Sequence, residues 1–250
     1  VVLNCIDRWR GTPRYTQPAL IWEGEDGTQT TRTFADIDRE TCQLAWGLRQ
    51  LGLGRGDVVG MYLPNLPQAA AAMLAVAKIG GIVLPMFSGF GADAIAQRLQ
   101  DGRAKALITV DGSLRRGKPM SAKPVVDEAL THCPGVQHVV VLNHLTTAHG
   151  WTEGRDHWWH ELAAGAPQDV QATLTEFTAL ACAHDVKSHA CDAEELIVCG
   201  GGCFNAQLMA RLQAQLPSLP GEKLRNYDQN FYRMFFLENG NFDKRSGLSQ

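Results

Sequence analysis

The chain has 250 residues, 45% of them hydrophobic and 20% charged, enough apolar length to bury the core of one or two domains rather than remain disordered. Its formal net charge of −3 and pI near 6.2 supply no field that would draw in nucleic acid or an anionic membrane. Seven cysteines, an odd number with irregular spacing and no C-x-x-C, argue against a disulfide framework and fit a reducing cytoplasm.

The opening "VVLNCIDRWRG" lacks the basic stretch, apolar stretch and cleavage site of a secretory signal, and it starts in mid-pattern without Met, as a fragment would. No apolar run approaches the roughly 20 residues needed to span a bilayer. Residues 33–51 place Ile37, Leu44, Leu48 and Leu51 on one side of a helix, with Thr33 and Asp36 at capping-box positions and Gly52 as the stop. "VVGMYLP" then reads as a strand, and Pro67 opens the helix "PQAAAAMLAVAKIG". The order repeats with the strand "IVLPMF", a helix over "GADAIAQRLQDG" burying Ile95 and Leu99, and the strand "AKALITV". A helix over 124–132 and a strand over 138–142 continue it. This alternation predicts an α/β fold of βαβ units on a parallel sheet.

From 143 to 167 the periodicity fades, and the stretch reads as a long connection. It resumes with Val170, Leu174, Phe177 and Ala181 along one helical face, a strand over 196–199, three glycines, and a helix aligning Leu208, Leu212 and Leu216. These predict a small helix-strand-helix segment. Residues 221–250 show no clear period and stay unassigned.

Several local patterns carry candidate chemistry. Cys182, His184, His189 and Cys191 are residue types that zinc accepts, but C-x-H-x4-H-x-C matches no common zinc module and reads as solvated helix-end residues, so no metal site is assigned. His157 and His160 in "HWWH" lack an evident acid/base partner beyond Asp156 and Glu161. No G-x-S-x-G, H-E-x-x-H or P-loop motif is present, and no catalytic residue is assigned. Cys199 and Cys203 flank the glycines as small packing residues.

Residues 1–162 resemble the opening part of AMP-forming acyl-CoA synthetases, in particular the acetyl- and short-chain branch of the adenylate-forming superfamily. The resemblance is carried in order by "LNCIDRW", "PALIWEGEDG", "TFADIDRE", the long run from "GLGRGDVVGMYLPNLP" to "FSGFGADAIAQRL", "LITVDG", "RRGK", "VDEAL" and "GRDHWW". It implies ATP and Mg for joining a carboxylate to AMP, and CoA as acyl acceptor. It also implies that Arg115, Arg116 and Lys118 lie near the 3′-phosphate of CoA and Gly89 near its nucleotide; a solvated basic loop is the alternative for the charged residues. The family's Ser/Thr/Gly-rich phosphate loop with its Lys-Gly ending is expected soon after "GRDHWW", and residues 163–250 contain no such stretch.

Residues 165–220 resemble a different family, the C-terminal lobe of anhydro-N-acetylmuramic acid kinases in the actin-like ATPase superfamily, through "PQDVQATLTEFTA" and "EELIVCGGGCFNAQLMARLQAQLP". That resemblance implies that Gly200, Gly201 and Gly202 border ATP, with Asn205 capping the next helix or touching a ligand. A plain tight corner is the alternative. Together the two resemblances imply a cytoplasmic chimeric chain: a truncated ligase-like segment joined to a partial ATP-binding kinase lobe, without complete catalytic activity. A sugar kinase and a non-catalytic protein that binds only CoA or a nucleotide are the other two readings.

Overall fold

A computed structural model describes residues 2–164, 167–189, 195–199, 206–217, 224–227, 235–238 and 241–242. The chain divides into two compact units, Val1–Val170 and Gln171–Gln250. Among the described residues no helix is long and apolar enough to cross a membrane.

In the first unit, α1 (Val2–Cys5) precedes an antiparallel hairpin of β1 (Pro18–Glu23) and β2 (Gln29–Thr33). Next comes α2 (Phe34–Gln50), which starts where its sequence caps it. The Asp36 N–H donates to Thr33 Oγ1 at 3.1 Å and the Thr33 N–H donates to Asp36 Oδ2 at 3.0 Å, a complete capping box with Asp in the place usual for Glu. Beyond its end Gly52 takes φ +81°, a left-handed turn that a side chain would resist. Ile37, Leu44 and Leu48 are buried along one face, as their spacing predicts. Asp38 on the same helix accepts from Arg10 Nη2 at 2.6 Å and Tyr15 Oη at 2.7 Å, pinning the N-terminal segment to it.

The alternation then follows the expected order: β3 (Val58–Tyr62), α3 (Pro67–Lys78), β4 (Ile82–Pro85), α4 (Ala92–Asp101) and β5 (Ala106–Val110). A second hairpin, β6 (Gly112–Arg115) with β7 (Lys118–Ser121), precedes α5 (Lys123–Leu130) and β8 (His138–Leu142). The 143–167 stretch is not wholly irregular, since β9 (Asp156–Trp158) and α6 (Trp159–Leu162) lie within it. Strands β3, β4, β5, β8 and β9 form one all-parallel sheet in the order β4-β3-β5-β8-β9.

Tyr62, Leu107, Val139 and Val141 pack with Ile95 and Leu99 of α4 and Val126 and Ala129 of α5. Alternation places Val59, Met61, Ile108 and Val140, all buried, on the opposite face. There α3, with Ala71, Ala72, Ala75 and Val76 buried, packs on α2 and β4. Burial on both faces explains why the central strands read as continuous apolar runs.

β9 joins the sheet through charge as well as backbone. Lys123, with no exposed side-chain surface, donates from Nζ to Asp127 Oδ1 at 2.7 Å, Asp156 Oδ2 at 2.8 Å and the Gly150 carbonyl at 3.2 Å. Arg155 completes the cluster, with Nε 2.6 Å from Asp156 Oδ1 and Nη2 2.7 Å from Asp127 Oδ1. A three-residue strand whose first side chain is a buried carboxylate has no apolar period to read, so the sequence shows only a loop there.

In the second unit, α7 (Pro167–His189), which crosses the boundary, buries Ala179, Ala183 and Val186. The side chains of Val170, Leu174, Phe177 and Ala181, expected to share its inner face, lie outside the described residues. They are followed by β10 (Glu195–Cys199), α8 (Ala206–Gln215), β11 (Leu224–Tyr227), β12 (Phe235–Glu238) and β13 (Asn241–Phe242). The sheet order is β11-β10-β12-β13, with β10 parallel to β11 and antiparallel to β12. Leu196, Leu212 and Leu216 are buried with the α7 residues, and Leu208 packs on them. The unassigned tail therefore supplies three strands, too short for a period-two pattern to register.

Candidate functional site

Strand β3 hands the chain outward to β4, and the next crossover returns it to β5 on the other flank of β3. Strand order thus reverses between β3 and β5, and loops leaving the carboxyl ends of such strands diverge to leave a crevice. A cleft of about 740 Å³ opens there. Its walls are the segment after β3 (Tyr62–Leu66), the loop after β4 (Met86–Gly91), hairpin β6–β7, the start of the connection after β8 (His144, Leu145), and the β1–β2 turn (Trp22–Asp26).

The loop after β4 is held from below by Tyr62, whose hydroxyl lies 2.9 Å from the Ser88 carbonyl and 3.0 Å from the Phe90 carbonyl. Burial pushes the phenol up from its usual value, against the opposing pull of the Arg115 guanidinium. Phe87 and Phe90 meet edge to face at 5.8 Å, and Phe87 is 62% exposed, an uncommon exposure for a phenylalanine. Between them sits Gly89. A Cβ built there would come within 2.5 Å of the Phe87 ring and 3.1 Å of Arg115 Nη1, so the Gly89 backbone lies in close contact with both side chains, and a larger residue would push these exposed groups aside.

Of the four residues assigned to CoA from the sequence, Gly89 and Arg115 line the cleft together, although they are far apart in the chain. Arg116 and Lys118 lie at the exposed tip of hairpin β6–β7, outside the lining. Arg116 at φ +53° and Gly117 at φ +71° form the two-residue turn that matches strand twist, with Arg115 paired to Lys118. Spacing alone cannot separate the arginine that faces the cleft from its neighbour, because the hairpin itself is not visible as a pattern.

The floor depends on Asp111, a buried carboxylate just after β5. Its Oδ1 accepts from the His144 N–H at 2.7 Å, and its Oδ2 from the Thr147 N–H at 2.8 Å. Burial would raise this carboxyl, but the N–H groups of His144, Thr147, Leu145 and Gly112 hold it below the usual aspartate value. Its carbonyl accepts from Ala122 and Lys123, so Asp111 ties the base of hairpin β6–β7 to the connection after β8. Neither Asp111 nor Tyr62 stands out in the sequence, for nothing local marks a residue whose partners come from other elements.

The other candidates do not converge. His157 is on β9, not on a helix with His160, and its Nε2 lies 3.2 Å from His138 Nδ1. Burial lowers both of these imidazoles from their usual value. His160 is exposed beside the Trp158 ring, 5.9 Å away. Cys182, His184 and His189 lie on the single helix α7, Cys191 lies outside the described residues, and among the described residues no three His, Cys, Asp or Glu side chains gather as metal ligands. Gly200, Gly201, Gly202 and Asn205 lie outside the described residues.

Comparison with known proteins agrees with the synthetase resemblance. Residues 7–197 match the family described as AMP-binding enzyme. Acetyl-coenzyme A synthetase from Streptomyces avermitilis is 44% identical over 179 residues, 72% of this chain and 27% of that protein. The same enzyme from Gemmatimonas aurantiaca is 44% identical over 172 residues, 66% of this chain and 26% of that one. The structure of acetoacetyl-CoA synthetase from Streptomyces lividans is similar at a TM-score of 0.60 and 33% identity, over 66% of this chain and 25% of the other. The chain spans about a quarter of the length of the curated relatives it matches. Nothing in these comparisons shows a kinase resemblance for 165–220, and the family match itself takes in residues 165–197. With a match that starts at Asp7, covers the whole parallel sheet and continues into β10, the chain belongs to the AMP-binding enzyme family.

Proposed function

We propose that this chain forms the coenzyme-binding wall of an AMP-forming acid–CoA ligase, and that the cleft between β3 and β5 receives the nucleotide end of CoA. The observation that supports it is the meeting of Gly89 and Arg115 on the lining of one cleft, which sets a guanidinium against the loop after β4 at the cleft edge. A phosphate monoester is the ligand chemistry such a group suits, since its forked N–H groups match two oxygens at once. Arg116 and Lys118 add positive charge at the rim, where they steer rather than grip. The exposed Phe87 ring offers an apolar surface for a planar base.

ATP and magnesium enter through the reaction of the relatives, which activates a carboxylate as its adenylate before the acyl group passes to CoA. The wall's own work is to bind and orient the thiol-bearing substrate. A cytoplasmic setting accompanies this reading. The cleft lining, Trp22 to Leu145, falls inside residues 1–162, the synthetase-like segment of this reading.

Calorimetric titration of CoA into the 250-residue chain tests the proposal. Arg115→Ala should weaken binding by about tenfold, the scale of one charge-assisted hydrogen-bonded contact to a phosphate on the cleft lining. Arg116→Ala should cost less than about threefold, as an exposed screened charge. Equal losses for the two variants, or no loss for Arg115→Ala, would refute the assignment.

A further inference from the structure

The cleft that fits a phosphate ester also carries carboxylates on its facing wall, and one of them is not used within its own turn. Glu23 Oε2 accepts from Gln29 Nε2 at 3.2 Å, and Asp26 Oδ1 accepts from the Thr28 N–H at 3.0 Å, both inside the β1–β2 hairpin. Glu25 instead reaches across the cleft: its Oε2 accepts from the Gly117 N–H at 2.9 Å. Gly117 is the second turn residue of hairpin β6–β7, directly between Arg116 and Lys118.

Among the described residues hairpin β6–β7 pairs with no other strand and forms a two-stranded sheet by itself. β7 is exposed throughout, and an isolated hairpin is marginally stable in water. Its base is fixed by the Ala122 and Lys123 N–H groups on the Asp111 carbonyl, while its tip is met by Glu25. An anion that accepts from a backbone N–H set between two steering cations occupies the place an entering phosphate would meet before it reaches Arg115.

We propose that Glu25 is an internal anion that latches the β6–β7 hairpin across the cleft mouth, and that a phosphate-bearing ligand enters by displacing Glu25 from the Gly117 N–H. Glu25 then sets the affinity and selectivity of the cleft: a ligand with a strong anion displaces it, and a neutral or weakly anionic one does not. This rests on the cleft being a CoA site, but the latch has its own readout in the Gly117 amide.

The test combines calorimetry with NMR of the ¹⁵N-labelled 250-residue chain, using CoA, 3′-dephospho-CoA and inorganic phosphate as probes. Glu25→Ala should tighten CoA by about three- to fivefold, the scale of one exposed charge interaction, and speed exchange of the Gly117 amide. Glu25→Gln, which keeps an acceptor but loses the charge, should retain more of the Gly117 protection and gain less affinity. CoA should shift the Gly117 resonance of the wild-type chain more than 3′-dephospho-CoA does. If CoA binds wild type and Glu25→Ala equally, with Gly117 unmoved, the latch is overturned and the CoA assignment stands. If CoA binds neither chain while inorganic phosphate still shifts Gly117, and does so more readily in Glu25→Ala, the CoA assignment falls and the latch stands.

Discussion

Removing the Asp156 carboxylate should cost more than removing any other charge in the first unit, because of what it leaves behind. Lys123 has no exposed side-chain surface, and Asp156 has none either. The cluster of Lys123, Arg155, Asp127 and Asp156 is formally neutral, two cations against two anions, and Asp156→Ala leaves it with an excess buried positive charge. Asp127 is 28% exposed and can compensate only in part. Taking one partner from a buried pair costs about 3–5 kcal/mol, against a total stability of about 5–15 kcal/mol for a domain. Asp127→Ala should cost about 1–2 kcal/mol, since water can replace an exposed partner. Urea unfolding at pH 7, followed by tryptophan fluorescence, measures both. The acid limb gives a second check: Asp156 is held below its usual value, its burial outweighed by Arg155 and Lys123, so its contribution is complete above the ordinary aspartate range. That contribution is lost as pH falls through the lowered folded value, and the gap between wild type and Asp156→Ala should narrow there. A cost below about 1 kcal/mol for Asp156→Ala, or an equal cost for Asp127→Ala, would refute the reasoning.

Gly60→Ala should destabilise by about 1–3 kcal/mol through overpacking, because its Cβ would fall 2.7 Å from Leu99 Cδ2 and 2.9 Å from Leu107 Cδ1 in the α4/α5 core; thermal unfolding reads this directly. Asp111→Ala should cost about 2–3 kcal/mol in urea and also weaken CoA binding, since it frees the N–H groups of His144 and Thr147 that shape the cleft floor. An Asp111→Ala protein with unchanged stability would show that the floor is held by other contacts.

How far the sequence discloses the molecule depends on how local each cause is. The Thr33–Asp36 cap, Pro67 at the start of α3 and the spacing of Ile95 and Leu99 act within one or two turns, so the elements they define are readable with near-correct bounds. Apolar runs such as "ALITV" announce strands buried on both faces. Hairpin β6–β7 is hidden in the sequence because its pairs join charged and exposed residues, Arg115 with Lys118 and Ser113 with Met120. Strand β9 is hidden because it is stabilised by Lys123, 33 positions away from Asp156. The same logic holds in the cleft. Gly89 and Arg115 follow from the family resemblance, whereas Tyr62, Asp111 and Glu25 act through partners that only the fold brings near.

The most direct test of the account is the affinity of the wild-type chain for CoA against 3′-dephospho-CoA, measured by calorimetry at low and at physiological salt. CoA should bind about tenfold more tightly at low salt, and the advantage should shrink as salt rises, because the difference lies in a phosphate held by Arg115. Equal affinity for the two ligands, or a CoA advantage insensitive to salt, would contradict it.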